Sequence, residues 1–166
     1  MKHLPSQPAL PIRLLVADDG ATIAAVAALL RTLALEFIVA NVGAEQASTF
    51  LRENDADALG RRLADGFVYH VAEDDGAIAG FIGMRAQQHV FHLFVGRPWQ
   101  RRGVARRLWE VARAHAIAAG GAAPFTVNAS NYAVDAYTRL GFVRSAPMRE
   151  KNGIEFHPMQ WSEQAN

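Results

Sequence analysis

The sequence predicts an α+β fold in which helices pack on a mixed, mostly antiparallel sheet. Three observations support this class. Apolar residues recur at helical spacing between Ala21 and Phe37. Three short strands follow one another between residues 67 and 95, and an Asp-Gly turn joins the first two. A helical segment then separates the third of these strands from a strand at Phe125–Asn128, which predicts a parallel, right-handed crossover.

The first part of the chain is predicted to be mainly helical. Residues 1–11 are predicted to be a flexible N-terminal arm, and residues 12–166 to form a single domain. A strand is expected at Ile12–Ala17, and Asp18 or Asp19 is expected to cap the helix that follows. The predicted helices before the three strands are Ala21–Phe37, Ala44–Arg52 and Ala56–Leu63.

The rest of the chain alternates between strand and helix patterns. Short runs of β-branched and aromatic residues predict strands, and apolar residues three or four apart predict helices. Pro158 has no amide hydrogen, so the last strand is expected at a sheet edge or at a bulge. The predicted strands are Phe67–Glu73, Ala77–Ala86, His89–Val95, Phe125–Asn128, Phe142–Arg144 and Glu155–Trp161. The predicted helices are Val104–Ala118 and Asn131–Leu140.

Composition narrows the class of protein and the kinds of site. The chain has 166 residues, of which 51% are hydrophobic and 20% charged, and this suits one domain with a buried core. It contains no cysteine, which excludes disulfides, a thiolate nucleophile, Cys-ligated zinc and iron–sulfur clusters. The net charge of +1 does not indicate a nucleic-acid-binding protein. No signal peptide is recognised, and the apolar stretch Ile23–Ala40 is short and interrupted by charge, so we expect a cytoplasmic protein without a membrane partner.

Positive charge is concentrated in one segment, although the total is near zero. Between Arg97 and Arg113 there are six arginines and one acid, and the arginines are expected to gather at one point. Within this segment QRRGVA, residues 100–105, connects a strand directly to a helix. Such a junction presents free backbone N–H groups and the positive end of a helix dipole, and Gly103 lets a ligand approach the backbone. The segment predicts a site for a polyphosphate anion; the alternative is a solvated basic face at an ordinary helix start.

Two segments resemble the signatures of the GNAT superfamily of N-acetyltransferases. QRRGVA, which follows the strand residues LFV, resembles the acyl-CoA-binding motif of that superfamily, Gln/Arg-x-x-Gly-x-Gly/Ala. The segment from Asn131 to Phe142 resembles its N-x-A pattern followed by Y-x-x-x-G-F. The resemblance covers the chain from about residue 12 to residue 161 and implies a three-layer α/β sandwich. In this fold the fourth and fifth strands splay apart and leave a V-shaped gap.

The resemblance also implies which residues bind acetyl-CoA, the expected co-substrate. The pantetheine arm would lie in the gap along the open edge of the fourth strand, and Asn131 would contact it. The pyrophosphate would accept hydrogen bonds from the loop amides, and Arg139 is a weaker candidate for contact with the adenosine phosphate. The implied acetyl-CoA-binding residues are Leu93, Phe94, Val95, Arg101, Arg102, Gly103, Val104, Ala105, Arg106 and Asn131.

Catalytic roles follow from the same resemblance. Tyr137 matches the general acid that protonates the leaving thiolate. For the base, His89 lies fourteen residues before Gly103, where some members have a glutamate, and a histidine titrates near neutral pH. His92 is an alternative, although a regular strand turns only one of the two side chains into the cleft, and a chain of waters is another. Because this spacing on a strand does not suit metal ligands, no metal site is expected.

These inferences predict an enzyme that transfers an acetyl group from acetyl-CoA directly to a primary amine of a small molecule, peptide or protein. The absence of cysteine excludes an acyl-cysteine intermediate. One alternative is a non-catalytic acyl-CoA sensor on the same fold, and another, a nucleic-acid-binding protein, is disfavoured by the net charge. The resemblance assigns the acceptor site to about Thr32–Arg62 and Met148–Trp161. It also allows a homodimer.

Overall fold

The computed structural model describes residues 8–163. Within that range the chain forms five α-helices, a short 3-10 helix at Arg97–Trp99 and eight strands. The helices are α1 (Gly20–Phe37), α2 (Ala44–Glu53), α3 (Ala56–Ala64), α4 (Val104–Ala118) and α5 (Val134–Arg139). The strands are β1 (Ile12–Leu14), β2 (Val68–Asp74), β3 (Ala77–Arg85), β4 (His89–Val95), β5 (Phe125–Ser130), β6 (Val143–Arg144), β7 (Arg149–Lys151) and β8 (Ile154–Trp161).

The strands form one open sheet in the order β1-β2-β3-β4-β5-β8-β6, and β7 pairs with β8. Strands β4 and β5 run parallel, whereas the other neighbouring strands are antiparallel. The parallel pairing is short: His89 lies opposite Thr126 and Val90 lies opposite Val127. Because no later described residues of the two strands pair, β4 and β5 diverge after Val90. The α+β class and the V-shaped gap between the fourth and fifth strands are thereby confirmed.

Helices cover both faces of the sheet, as a three-layer sandwich requires. Helix α4 packs on one face, where Leu108 and Trp109 join a core that includes residues of β3, β5 and β8. Helix α1 covers the other face with Val26 and Leu30, and α3 adds Leu59 to the core there. These two faces are called the α4 face and the α1 face below.

Helix α1 begins close to the predicted position because its cap is local. The Asp19 carboxylate accepts a hydrogen bond from the Thr22 amide at 3.1 Å, and Asp19 is therefore the N-cap. By length and composition alone α1 is long and apolar enough to cross a membrane, contrary to the expectation from its sequence. Val26, Leu30 and other apolar residues of α1 are buried against the sheet, and the core helix of a globular domain meets the same criterion.

A β-bulge interrupts the pairing of β3 with β4. The register shifts between Gly83 and Met84, and Phe91 is the extra residue of β4. Phe91 and His92 are adjacent, yet both rings contact aromatic residues of the α1 face. On a regular strand His89 and His92 would point to opposite faces of the sheet. The bulge interrupts this alternation, so the strand position of the two histidines no longer decides which of them faces the cleft.

The structure contains one strand, β7, that the sequence analysis missed. β7 and β8 form a hairpin through Asn152 and Gly153, whose φ angles are 53° and 77°. Two positive φ angles are typical of a type I′ turn, for which Asn-Gly is a favoured sequence. The Asn152-Gly153 dipeptide could have indicated this hairpin. The strand before it, Arg149–Lys151, is exposed and charged and so shows no apolar pattern.

Pro158 lies inside the sheet and not at the predicted edge or bulge. Strand β8 pairs with β5 on one side and with β6 and β7 on the other. The Pro158 carbonyl accepts a hydrogen bond from the Ser145 amide at 2.9 Å, in the interval between β6 and β7. In a strand the nitrogen and the carbonyl of one residue point to the same side, so the missing N–H faces that interval and removes no ladder bond.

The chain ahead of β1 was predicted to be a flexible arm. The Leu10 carbonyl accepts a hydrogen bond from Arg107 at 2.6 Å, and the Pro11 carbonyl accepts one from the Glu73 amide at 3.0 Å. The last residues of the predicted arm are therefore attached to α4 and β2. Residues 1–7 lie outside the described residues.

Candidate functional site

The loop after β4 presents a row of backbone amides. Arg101 and Gly103 have positive φ angles of 61° and 78°, and α4 begins at Val104. The amides from Gly103 to Arg106 donate to no acceptor among the described residues. They form the free N-terminus of α4, where the backbone carries a positive partial charge, and this is the geometry that an anion site requires.

The space in front of Gly103 is open. Apart from its chain neighbours, no atom of the described residues lies within 4 Å of a Cβ placed there, so packing among these residues does not require glycine. Its φ of 78° does favour glycine, because L side chains rarely adopt that conformation. The open space leaves room for a ligand directly against the backbone.

The arginine side chains near this loop point in different directions. Arg97 forms an ion pair with Glu36 of α1, with 3.0 Å between Nε and Oε2. Arg107 donates to a backbone carbonyl ahead of β1, and Arg106 donates to the Arg139 carbonyl at 2.8 Å. The prediction that these arginines gather at one point is therefore wrong for Arg97 and Arg107. Their side chains bind acceptors on other parts of the chain, Glu36 and the Leu10 carbonyl.

The second half of β4 forms one edge of the gap. Leu93–Val95 pair with β3 on one side, and on the other side no strand within residues 8–163 pairs with them. The Gly96 amide donates to β3, so the Val95 carbonyl of the same peptide points the opposite way, toward the gap. Gln100 Nε2 donates to that carbonyl at 2.9 Å. Gln100 therefore attaches the loop to the end of β4, and the edge ahead of Val95 stays open.

Tyr137 lies on α5, which follows β5 on the other side of the gap. The residue is 6% exposed, and its ring packs edge-on against Phe142 with centroids 5.4 Å apart. Burial raises the pKa of the Tyr137 hydroxyl, so it stays protonated at neutral pH. A protonated hydroxyl is the form that a general acid needs.

His89 lies at the closed end of the gap, where β4 and β5 still pair. Its Nδ1 is 2.8 Å from the Thr126 hydroxyl. Burial, and secondly the charge of Arg85, lower the pKa of His89 to about 4. The imidazole is therefore neutral at pH 7 and has a lone pair for a proton, but it is a weak base.

His92, the alternative base, is buried beside the junction of α2 and α3. Asn54 donates from Nδ2 to the Phe50 carbonyl at 2.9 Å, so its Oδ1 faces His92 Nε2 at 2.9 Å and accepts the proton there. His92 Nδ1 then accepts a hydrogen bond from the Tyr69 hydroxyl at 2.9 Å. Burial, and then the charge of Arg62, lower the pKa of His92 to about 3. Protein groups occupy both ring nitrogens and leave neither for a substrate.

A pocket of 520 Å³ lies beside the open end of the gap. Its walls are the end of α1, the residues after β5 and the β7–β8 hairpin. Phe37 and Tyr132 stack in one wall, with centroids 3.9 Å apart and ring planes at 13°. The polar side chains of the lining are Asn41, Ser130, Asn131, Tyr132 and Glu155. The predicted acceptor regions include Phe37 and Glu155 but not Tyr132, whose partner Phe37 is distant in sequence.

A chain of hydrogen bonds holds Glu155 at this pocket. Arg144 is 2.8 Å from His157 Nδ1, and because a guanidinium only donates, Nδ1 is the acceptor. His157 therefore carries its proton on Nε2 and donates to Asn131 Oδ1 at 2.6 Å. Asn131 Nδ2 in turn donates to Glu155 at 2.8 Å. Asn131, which is predicted to contact pantetheine, donates a hydrogen bond that orients a carboxylate.

Most of the residues singled out from the sequence lie around the gap. Leu93–Val95 form its β4 edge, the amides of Gly103–Arg106 lie beyond that edge, and Asn131 and Tyr137 follow β5. His89 is at the closed end, apart from the open edge. Between residues 8 and 163, no three His, Cys, Asp or Glu side chains gather in a way that would hold a metal ion.

The sequence of this chain is similar to a known protein family, and its fold is similar to those of solved structures. A family model described as an acetyltransferase (GNAT) domain matches residues 38–163. A GCN5-related N-acetyltransferase from Rhodopseudomonas palustris is similar in fold, with a TM-score of 0.74, 22% identity, and coverage of 98% of this chain and 100% of that one. PaiA N-acetyltransferase from Thermoplasma acidophilum, solved in complex with coenzyme A, has a TM-score of 0.72 and 14% identity, with 94% and 100% covered. An aminoglycoside 6′-acetyltransferase type Ii has a TM-score of 0.69 and 14% identity, with 92% and 97% covered. No curated protein matches the sequence.

Proposed function

The chain belongs to the GNAT acetyltransferase family, and from this premise we propose that it transfers an acetyl group from acetyl-CoA directly to a primary amine. One observation carries the proposal: the open edge of β4 leads to the free amides at the start of α4. A gap of this kind accommodates an extended arm, and a helix N-terminus supplies donors for phosphates at the end of that arm. Acyl-CoA has both parts.

The residues around the gap suit coenzyme A. The amides from Gly103 to Arg106 would bind the pyrophosphate, and the charges of Arg101 and Arg102 would favour the same anion. The open edge of Leu93–Val95 would hydrogen-bond the pantetheine, with Asn131 on the opposite side. The empty space in front of Gly103 supports this assignment, since a phosphate must approach the backbone there.

The bound thioester supplies an activated acetyl group and a thiolate leaving group. In the proposed reaction the amine nitrogen forms a bond to the carbonyl carbon, the C–S bond breaks, and the thiolate takes a proton. Tyr137 would donate that proton, because burial keeps its hydroxyl protonated. The proton lost by the amine would pass to His89, which is neutral at pH 7, or to water. The chain has no cysteine that would form an acyl-enzyme intermediate.

The proposal also covers the compartment, the oligomeric state and the partners of the enzyme. We propose a cytoplasmic monomer or homodimer that acts on a small molecule or a peptide, without nucleic-acid or membrane partners. The absence of cysteine fits a reducing compartment, and the net charge of +1 fits a protein that does not bind nucleic acid.

Calorimetric titration with coenzyme A tests the binding site. We expect Gly103→Ala to weaken binding by about tenfold or more, because its Cβ takes the space that the phosphate needs. Gly120→Ala is the matched control, since Gly120 also has a positive φ, 97°, and open space, but lies at the other end of α4. Absence of binding at millimolar coenzyme A, or an equal loss of affinity in both variants, would contradict the proposed site.

Thiol release from acetyl-CoA in the presence of a panel of amines tests the transfer. Release that depends on an amine is the expected result. Binding of coenzyme A without release from any amine would instead indicate the non-catalytic sensor.

A further inference from the structure

The pocket beside α1 is lined by one negative charge, and this charge favours some amines over others as its ligand. Among the ten described residues that line it, Glu155 is the one acid, and none is basic. We propose that this pocket is the acceptor site and that it selects a cationic amine with no carboxylate next to the amino group. The inference rests on the proposed function, because it specifies which amine the enzyme acetylates.

The position of the pocket suits an acceptor. Ser130 and Asn131 line it, and they continue from the end of β5 that borders the open part of the gap. Its volume of 520 Å³ is that of a site for a small molecule. An amine in the pocket therefore lies next to the gap in which we place the thioester.

Glu155 has the geometry of an anchor for a cation. Its Oε2 accepts one hydrogen bond, from Asn131 at 2.8 Å, and the remaining lone pairs of the carboxylate are available to an ammonium group. The stacked rings of Phe37 and Tyr132 make the neighbouring wall flat and apolar, which suits the carbon skeleton of the amine. Charge and shape thus favour the same kind of ligand.

Two arginines close to the pocket are engaged by other groups. The Arg97 guanidinium lies 5.2 Å from the Phe37 ring centroid, but it is paired with Glu36. Arg144 donates to His157, at the start of the chain of bonds that ends on Glu155. The carboxylate of an α-amino acid would therefore meet the negative charge of Glu155, and no basic residue among the described lining offsets it.

The chain of hydrogen bonds from Arg144 to Glu155 gives His157 a positioning role. A guanidinium is at one end and a carboxylate is at the other, so every bond between them has one allowed direction. The amide of Asn131 is consequently turned with Nδ2 toward Glu155. Removal of His157 would free that amide to rotate and would leave the carboxylate unoriented.

Matched pairs of amines test the selectivity. The probes are tyramine against tyrosine and phenethylamine against phenylalanine, which differ only in the carboxylate next to their single amino group, and the measurement is kcat/KM from thiol release. We expect the decarboxylated member of each pair to be preferred by about tenfold or more, the effect of one charge interaction. Equal or greater kcat/KM for the amino acids would overturn the inference and leave the acetyltransferase proposal intact. Coenzyme A binding without turnover of any amine would overturn both.

Glu155→Gln tests the anchor. We expect it to raise KM for tyramine and phenethylamine about tenfold and to abolish the preference over the amino acids, with coenzyme A affinity unchanged. Glu150→Gln is the matched control, because Glu150 lies directly opposite Glu155 on β7 but does not line the pocket. An unchanged preference in Glu155→Gln, or the same loss in both variants, would overturn the role of Glu155.

His157→Leu tests the positioning role. We expect it to raise KM for the amines with little change in kcat, and to have no further effect on KM in a Glu155→Gln background. Additive effects in the double variant would show that His157 acts independently of Glu155 and would overturn the positioning role.

Discussion

At the residue scale, hydrogen bonding and burial distinguish the three side chains that the sequence nominates for proton transfer, Tyr137 as the acid and His89 or His92 as the base. His92 is bonded at both ring nitrogens, so it stabilises the α2–α3 junction. His89 has one nitrogen bonded to Thr126 and lies at the closed end of the gap. Tyr137 is buried, and burial raises the pKa of its hydroxyl, which therefore stays protonated. Of the three, Tyr137 is best suited to give up a proton to a substrate.

Tyr137→Phe tests the acid role of the hydroxyl. We expect kcat to fall by about 100-fold or more, because general acid catalysis contributes effects of that size. The affinity for coenzyme A should not change, and calorimetry on the same sample provides the control for folding. An unchanged kcat would remove the role.

Tyr69→Phe tests the structural role of His92. The variant keeps the ring but leaves His92 Nδ1 buried without a donor, so we expect the free energy of unfolding to fall by about 1–3 kcal/mol. Tyr132→Phe is the control, since Tyr132 is 52% exposed and its hydroxyl contributes little to stability. Urea denaturation measures both. Equal stabilities of the two variants would show that the Tyr69–His92 bond is not needed.

At the element scale, β4 combines close packing on one side with an open edge on the other. Its pairing with β3 is tight around Gly80, where a Cβ would lie 2.7 Å from the Phe94 carbonyl oxygen. This glycine lets β3 support β4 along the half that has left β5. The open edge therefore depends on a rigid neighbour, since an unsupported strand would not hold its amides in line.

Gly80→Ala tests that support. The added Cβ must displace backbone, so we expect a loss of about 1–3 kcal/mol of stability, together with weaker coenzyme A binding. Gly60→Ala is the contrasting control, because Gly60 lies within α3 with no atom within 4 Å of its Cβ position. Alanine there should stabilise by about 0.5–1 kcal/mol. Denaturation midpoints that shift in the same direction in both variants would refute the argument.

At the scale of the whole molecule, the sheet encloses histidines on both faces. His70 lies on the α4 face beside His115, with ring centroids 5.2 Å apart, and His92 lies on the α1 face. Burial, and secondly His115, lower the pKa of His70 to about 4. With His89 and His92, three side chains are thus folded in their neutral form. We therefore expect the fold to lose stability in acid.

The free energy of unfolding should depend on pH for this reason. An unfolded histidine has a pKa of about 6.5, so below that pH the unfolded chain binds protons that the folded chain does not. We expect stability to be highest above pH 6.5 and to fall as the pH is lowered from 6.5 toward 4, the pKa of folded His70 and His89, by up to about 1.4 kcal/mol per pH unit for each histidine. Urea denaturation at several pH values measures the slope. His92→Gln should reduce it, and a stability that does not vary over this range would contradict the prediction.

Features that depend on interactions between neighbouring residues were predicted from the sequence, whereas features that depend on contacts between separate elements were not. The caps at Asp19 and Asp55 and the turn at Asp75-Gly76 depend on neighbouring residues, so these element boundaries were predicted to within a few residues. The amide row at Gly103 was predicted for the same reason. The position of Pro158 within the sheet was not predicted, because it depends on how β6 and β7 both pair with β8 and on the interval that they leave between them.

The sequence by itself determined the α+β class, the order of most elements, the family resemblance and the anion-binding start of α4, since periodicity, turn chemistry and a helix N-terminus are properties of short segments. Only the tertiary structure decided which side chains meet. It stacked Phe37 on Tyr132, attached Arg97 to Glu36, and turned Asn131 toward Glu155. It also buried His92 through a bulge. These contacts join residues distant in sequence, and their geometry follows from strand register and core packing, which no local pattern encodes.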